Sequence, residues 1–97
     1  MHRIITSPNA IQDIQSALHW YDAIQEQLRR KLADELDRHF TRLSEAPRQF
    51  PVAFRDVRRA VVSRFPYSIY FFIEPGTVVV IAVMHNRRDP SLWQSRL

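Results

Sequence analysis

The stretch Tyr67-Ser68-Ile69-Tyr70-Phe71-Phe72-Ile73-Glu74-Pro75-Gly76-Thr77-Val78-Val79-Val80-Ile81-Ala82-Val83-Met84 decides the fold. Residues 67–73 are dense in aromatic and β-branched side chains, which suit a pleated, packed surface. Glu74-Pro75-Gly76-Thr77 then places proline and the chain's only glycine at the two central positions of a type II turn. Val78 to Met84 is a continuous apolar run, the pattern of a central strand covered on both faces or nearly so. The whole is a β-hairpin.

Upstream, residues 56–64 carry Arg58, Arg59 and Arg64 on a pattern of period two, which predicts a third strand. Downstream, the last strand runs into His85-Asn86-Arg87-Arg88. Three adjacent strands would gather guanidinium groups and one imidazole on a single surface, suited to a polyanion or an acidic partner. Arg58 and Arg59 are neighbours, so they point to opposite faces. Alternation leaves open which of the two reaches the basic surface.

The first half of the chain has a different period. Arg3-Ile4-Ile5-Thr6 is a short strand, and Ser7-Pro8 has the form of an N-cap with proline in the first turn. Ala10, Ile14, Ala17, Leu18 and Tyr21, then Leu28, Leu32, Leu36, Phe40 and Leu43, recur at helical spacing as far as Pro47. One helix over 8–45 would be ~57 Å long at 1.5 Å per residue, against a domain diameter of roughly 26 Å. A break between Asp22 and Gln27 is therefore expected, giving an antiparallel αα-hairpin. Pro47 and Pro51 mark a loop anchored by Phe50 and Phe54, and the tail from Asp89 to Leu97 reads as short and polar apart from Leu92 and Trp93. The expected class is α+β: an N-terminal αα-hairpin on one face of a small, mainly antiparallel sheet, in one domain over residues 1–97.

Composition narrows the function. The 97 residues have no cysteine, which removes disulfides, thiolate catalysis and cysteine-based zinc sites. His2, His19, His39 and His85 are too scattered to suggest a metal site, and no cofactor is expected. No apolar run approaches the ~18 residues that span a bilayer, and the N-terminus lacks the pattern of a secretory signal, so a cytoplasmic protein without a membrane partner is expected. The net charge of +4 is uneven: residues 1–47 hold five Arg and one Lys against seven acids, residues 48–97 eight Arg against three. Arginine in such excess over lysine suits bidentate contacts with phosphate or carboxylate.

The ordered set Ala10-x-x-Asp13, His19-Trp20-Tyr21, Pro47-x-x-Phe50-Pro51, Val57-Arg58-Arg59-Ala60, Arg64-Phe65-Pro66-Tyr67-x-Ile69-Tyr70 and His85-x-x-Arg88-x-Pro90-x-x-Trp93 covers nearly the whole chain. It resembles the RelE/ParE toxin superfamily of bacterial type II toxin–antitoxin modules, and its C-terminal signature is closer to the ParE-like branch. The resemblance implies a plasmid-stabilisation-like toxin that inhibits growth and is neutralised by a cognate acidic antitoxin, as a homodimer or a toxin–antitoxin hetero-oligomer. ParE-like members poison DNA gyrase. RelE-like members are ribosome-dependent mRNA endonucleases, the alternative activity and partner.

Under the nuclease alternative, Arg59 matches an arginine that stabilises the scissile phosphate and His85 is the one acid–base group, with Arg87 or Arg88 adding charge. Otherwise Arg59 pairs with Asp56, Glu74 or the antitoxin. Ribosome-dependent relatives often carry a tyrosine where this chain has Asn86, and the single Lys31 falls on a helix, so the resemblance favours binding over catalysis. Arg58, Arg59, Arg64, Arg87, Arg88 and Trp93 are the expected contacts to target or antitoxin, with Arg64 serving the turn and Trp93 packing the tail. Trp20 and Tyr21 read as core or hairpin packing.

Overall fold

The computed structural model describes all residues from Met1 to Leu97. In chain order the elements are β1 (Arg3–Thr6), α1 (Pro8–Ile24), α2 (Glu26–Glu45), a single 3-10 turn (Pro47–Gln49), β2 (Val52–Phe54), β3 (Val57–Val61), β4 (Tyr67–Glu74), β5 (Thr77–His85) and α3 (Ser91–Gln94). The strands form one sheet in the order β1-β5-β4-β3-β2, with β1 parallel to β5 and every other pair antiparallel. This is the α+β arrangement that the periodicities predict.

Local chemistry sets most boundaries. Ser7 caps α1, its Oγ accepting from the Ala10 N–H at 3.1 Å, with Pro8 in the first turn where a missing N–H costs nothing. The helix breaks at Gln25, a lone extended residue (φ −164°, ψ 130°) between α1 and α2. No glycine or proline marks that break, so the hairpin packing imposes it. Arg29 reaches back across it to Asp22 at 3.0 Å. Gly76 sits at φ 67°, the left-handed position that a type II turn requires and glycine alone occupies without strain.

Two clusters fill the interior. The larger one lies between the helices and the sheet, where Ala10, Ala17, Leu32, Leu36 and Leu43 meet Ala60, Ile69, Phe71, Val78, Val80 and Val83. The smaller lies on the opposite face and joins Val57, Tyr70, Ile81, Ala82, Met84 and Trp93. Burial of both faces explains the unbroken apolar run of β5. A bulge puts Ile81 and Ala82 together on the open face, because the partner of β5 shifts between Tyr70 and Phe71.

Three expectations need correction, and the tail adds a short helix that packs Trp93 as expected. The arginine-bearing strand is shorter than residues 56–64: Arg55 (φ 53°) and Asp56 form a tight turn, and Val52–Phe54 is a strand rather than loop. Three residues are too few to show a period. The tail folds as α3, which lays Trp93 (4% exposed) over the open face. Trp20 is 63% exposed and packs no core, although its neighbour Tyr21 does pack against Phe65 at 5.1 Å. A 100° step per residue carries Trp20 off the stripe of Ala10, Ala17 and Tyr21.

Candidate functional site

The face of the sheet away from the helices carries a groove of about 230 Å³ lined by Ala53, Arg59, Tyr70, Asn86, Arg88, Pro90, Trp93 and Gln94. Strand alternation builds it. Val57 lies on the open face, so Arg59 does as well, opposite Tyr70 in the β3–β4 register. Arg58 points the other way and spends Nη1 on the carbonyls of Arg48 (3.1 Å) and Phe50 (2.7 Å), holding down the loop before β2.

A relay of hydrogen bonds orients Arg59. Its Nε donates to Ser68 Oγ at 2.9 Å, and that hydroxyl donates to Asn86 Oδ1 at 2.5 Å. Ser68 is fully buried, so the relay satisfies a hydroxyl that would otherwise be costly to bury. Both terminal nitrogens of Arg59 remain without a protein partner, and no carboxylate pairs with it. Neither Asp56 nor Glu74 neutralises it, contrary to the pairing considered from sequence. Half-buried charges are ordinarily paired, so the groove presents a guanidinium with unspent donors.

Aromatic rings form the other wall. Tyr70 stacks on Trp93 with centroids 4.3 Å apart and planes 18° apart, and Phe54 meets Trp93 edge-on at 6.0 Å. Arg88 also lines the groove. The groove therefore holds two guanidinium groups against an aromatic wall and contains no His, Lys, Asp or Glu. It can bind an anionic group beside an apolar one.

The remaining predicted residues lie elsewhere. His85 faces the helix side, its ring edge-on to Tyr67 at 5.5 Å, and its Nδ1 accepts from the Arg87 N–H at 3.1 Å. Arg64 holds a left-handed turn conformation (φ 69°) and lines a separate cavity against α2 with Leu28, Lys31, Asp34, Glu35, Arg38 and Phe65. Arg87 is exposed beyond β5. The structure thus brings Arg59, Arg88 and Trp93 together and leaves Arg58, Arg64 and His85 outside.

Sequence reasoning missed Ser68 and Tyr70. Their signal was present: Ser68 is the one small polar residue in an otherwise apolar strand, and Tyr70 follows at the same-face spacing. It also missed Asp13 and Arg96, which meet through 2.6 and 3.1 Å contacts. Asp13 further accepts from the Val83 N–H at 3.0 Å, while Arg96 donates to the Ile81 carbonyl at 2.9 Å. The pair ties α1 and the C-terminal segment to the bulge of β5.

Comparison with known proteins agrees with this architecture. The model of a family described as the ParE toxin of the type II toxin–antitoxin system parDE matches residues 4–90. A solved structure titled as a chromosomal ParDE toxin–antitoxin system from P. aeruginosa superposes with a TM-score of 0.77, covering 88% of this chain and 96% of that one. Its identity is 16%, so that likeness concerns the fold. No curated protein matches the chain.

Proposed function

The chain belongs to the ParE toxin family of type II toxin–antitoxin systems, and on that premise we propose that it inhibits growth by binding DNA gyrase through the open-face groove and is neutralised by a cognate acidic antitoxin. One observation carries the choice of binding over catalysis. Arg59 and Arg88 share the groove with Tyr70 and Trp93, whereas His85 lies across the sheet. Cleavage of RNA needs a base for the 2′-hydroxyl and an acid for the leaving oxygen as well as charge at the phosphate. The groove supplies the charge alone.

The excess of arginine in the second half supports an acidic neutralising partner, since complementary potentials steer association and define the register of an interface. An induction experiment tests the target. Expression of this chain should raise DNA-damage signalling before protein synthesis falls. A loss of translation that precedes any damage signal would instead identify ribosome-bound mRNA as the substrate.

A further inference from the structure

One further cavity is separate from the open-face groove. It measures about 410 Å³ and lies between α1 and the C-terminal end of β5. One wall is a single stripe of α1, on which Asn9, Gln12, Asp13, Ser16 and Trp20 recur at helical spacing. The other wall is formed by Tyr67, His85, Arg88 and Arg96.

Its chemistry is one-sided. Asp13 is the only acid lining the cavity, and both of its oxygens are taken by Arg96 and by the Val83 N–H. His85 Nδ1 accepts from the Arg87 N–H, so the proton of the neutral ring sits on Nε2 and that nitrogen is a donor. The Tyr67 hydroxyl has no hydrogen-bond partner, and the Arg88 side chain makes no ion pair. Imidazole, phenol and guanidinium donors thus line one pocket with no free acceptor of negative charge among them.

The rim adds an apolar contact. Trp20 is 63% exposed on the α1 stripe, an unusual cost for a residue of that size, and exposed tryptophans are frequent anchors of protein interfaces. Asn9, Gln12 and Ser16 beside it offer the donor and acceptor pairs that a peptide backbone requires. A single unpaired guanidinium matches the charge of one carboxylate, and the neutral amides around it do not supply the further positive charge that a phosphate dianion calls for.

We propose that this cavity is a second binding site, which takes an acidic side chain of a peptide partner on Arg88, Tyr67 and His85 while an adjoining apolar residue packs on Trp20. The site stands on its own residues and does not depend on gyrase being the target. Only Arg88 is shared with the open-face groove.

Amide and indole NMR of the intact chain tests it, with acetyl-Leu-Glu-Glu-Leu-amide, its glutamine counterpart and inorganic phosphate as probes. The glutamate peptide should shift Ser16, the Trp20 indole and His85. Its affinity should exceed that of the glutamine peptide by about tenfold or more, the scale of a charge-assisted hydrogen bond. Arg88→Gln and Trp20→Ala, both at exposed positions, should each weaken binding, while Arg59→Gln on the far face should not. Equal shifts from the two peptides, equal binding of phosphate, or shifts confined to Arg59 and Trp93 would overturn the proposal. So would silence at Ser16, Trp20 and His85 while the chain remains folded.

Discussion

Arg59 and His85 end on opposite faces of one sheet. Arg59 is aimed into the open groove by Ser68, and His85 rests edge-on against Tyr67 beneath α1. A cleavage step that used both would need its phosphate and its general acid or base on two sides of the strands. His85→Gln should therefore leave growth inhibition intact, because the glutamine amide can still accept from the Arg87 N–H. Retained toxicity with an unchanged melting transition is the expected result. A loss of ~100-fold or more in mRNA cleavage on ribosomes, the scale of a general acid–base group, argues for the nuclease.

Arg87 and Arg88 project past the end of β5 and make no ion pair. Exposed substitutions of this kind shift stability by less than ~0.5 kcal/mol. Replacing both by alanine should leave thermal unfolding nearly unchanged and reduce growth inhibition. An unfolded variant, or one as toxic as the parent, contradicts their assignment to an interface.

Asp13 and Arg96 join positions 83 apart in sequence. Their side chains are 16% and 20% exposed, and the aspartate also holds the Val83 N–H, which lies beyond the last β1–β5 pair at Val80. Removing one partner of such a pair strands the other, so Asp13→Ala should cost about 2–4 kcal/mol. Arg96→Ala should cost less, because the aspartate keeps Val83. Denaturant unfolding of both single variants and the double variant measures the coupling, which vanishes if the contact is only a surface ion pair.

Alkaline pH tests the environment of Tyr67. Burial pushes its phenol above the ordinary value, the neighbouring Tyr21 adds to the shift, and Arg88 opposes it. The folded state therefore favours the neutral phenol. Its contribution is complete below about pH 10, the value of a free phenol, and is lost as pH rises through the higher folded value. Melting temperatures should fall over that window, and Tyr67→Phe should flatten the fall. A phenol titrating at its ordinary value by ultraviolet absorbance would contradict the buried placement.

Different elements were legible in the sequence to different degrees, for physical reasons. Pro75-Gly76 named its own turn, and the run from Val78 to Met84 named a strand buried on both sides. The break at Gln25 carried no glycine or proline, and only the length of an unbroken helix demanded it. Alternation placed Arg58 and Arg59 on opposite faces. It could not say which face each took, because that depends on Val57 packing with Trp93 from a tail too short to show a period. Trp20 reads as core or hairpin packing from its neighbours, yet one helical step separates it from them. The Asp13–Arg96 contact depends on tertiary closure, for which no local pattern exists.

Supercoiling by purified DNA gyrase, in the presence of the purified chain, tests the central claim most directly. The parent chain should inhibit gyrase, the Arg87→Ala/Arg88→Ala variant should inhibit it less, and His85→Gln should match the parent. Unaffected gyrase, together with cleavage of ribosome-bound mRNA by the same preparation, would contradict the account.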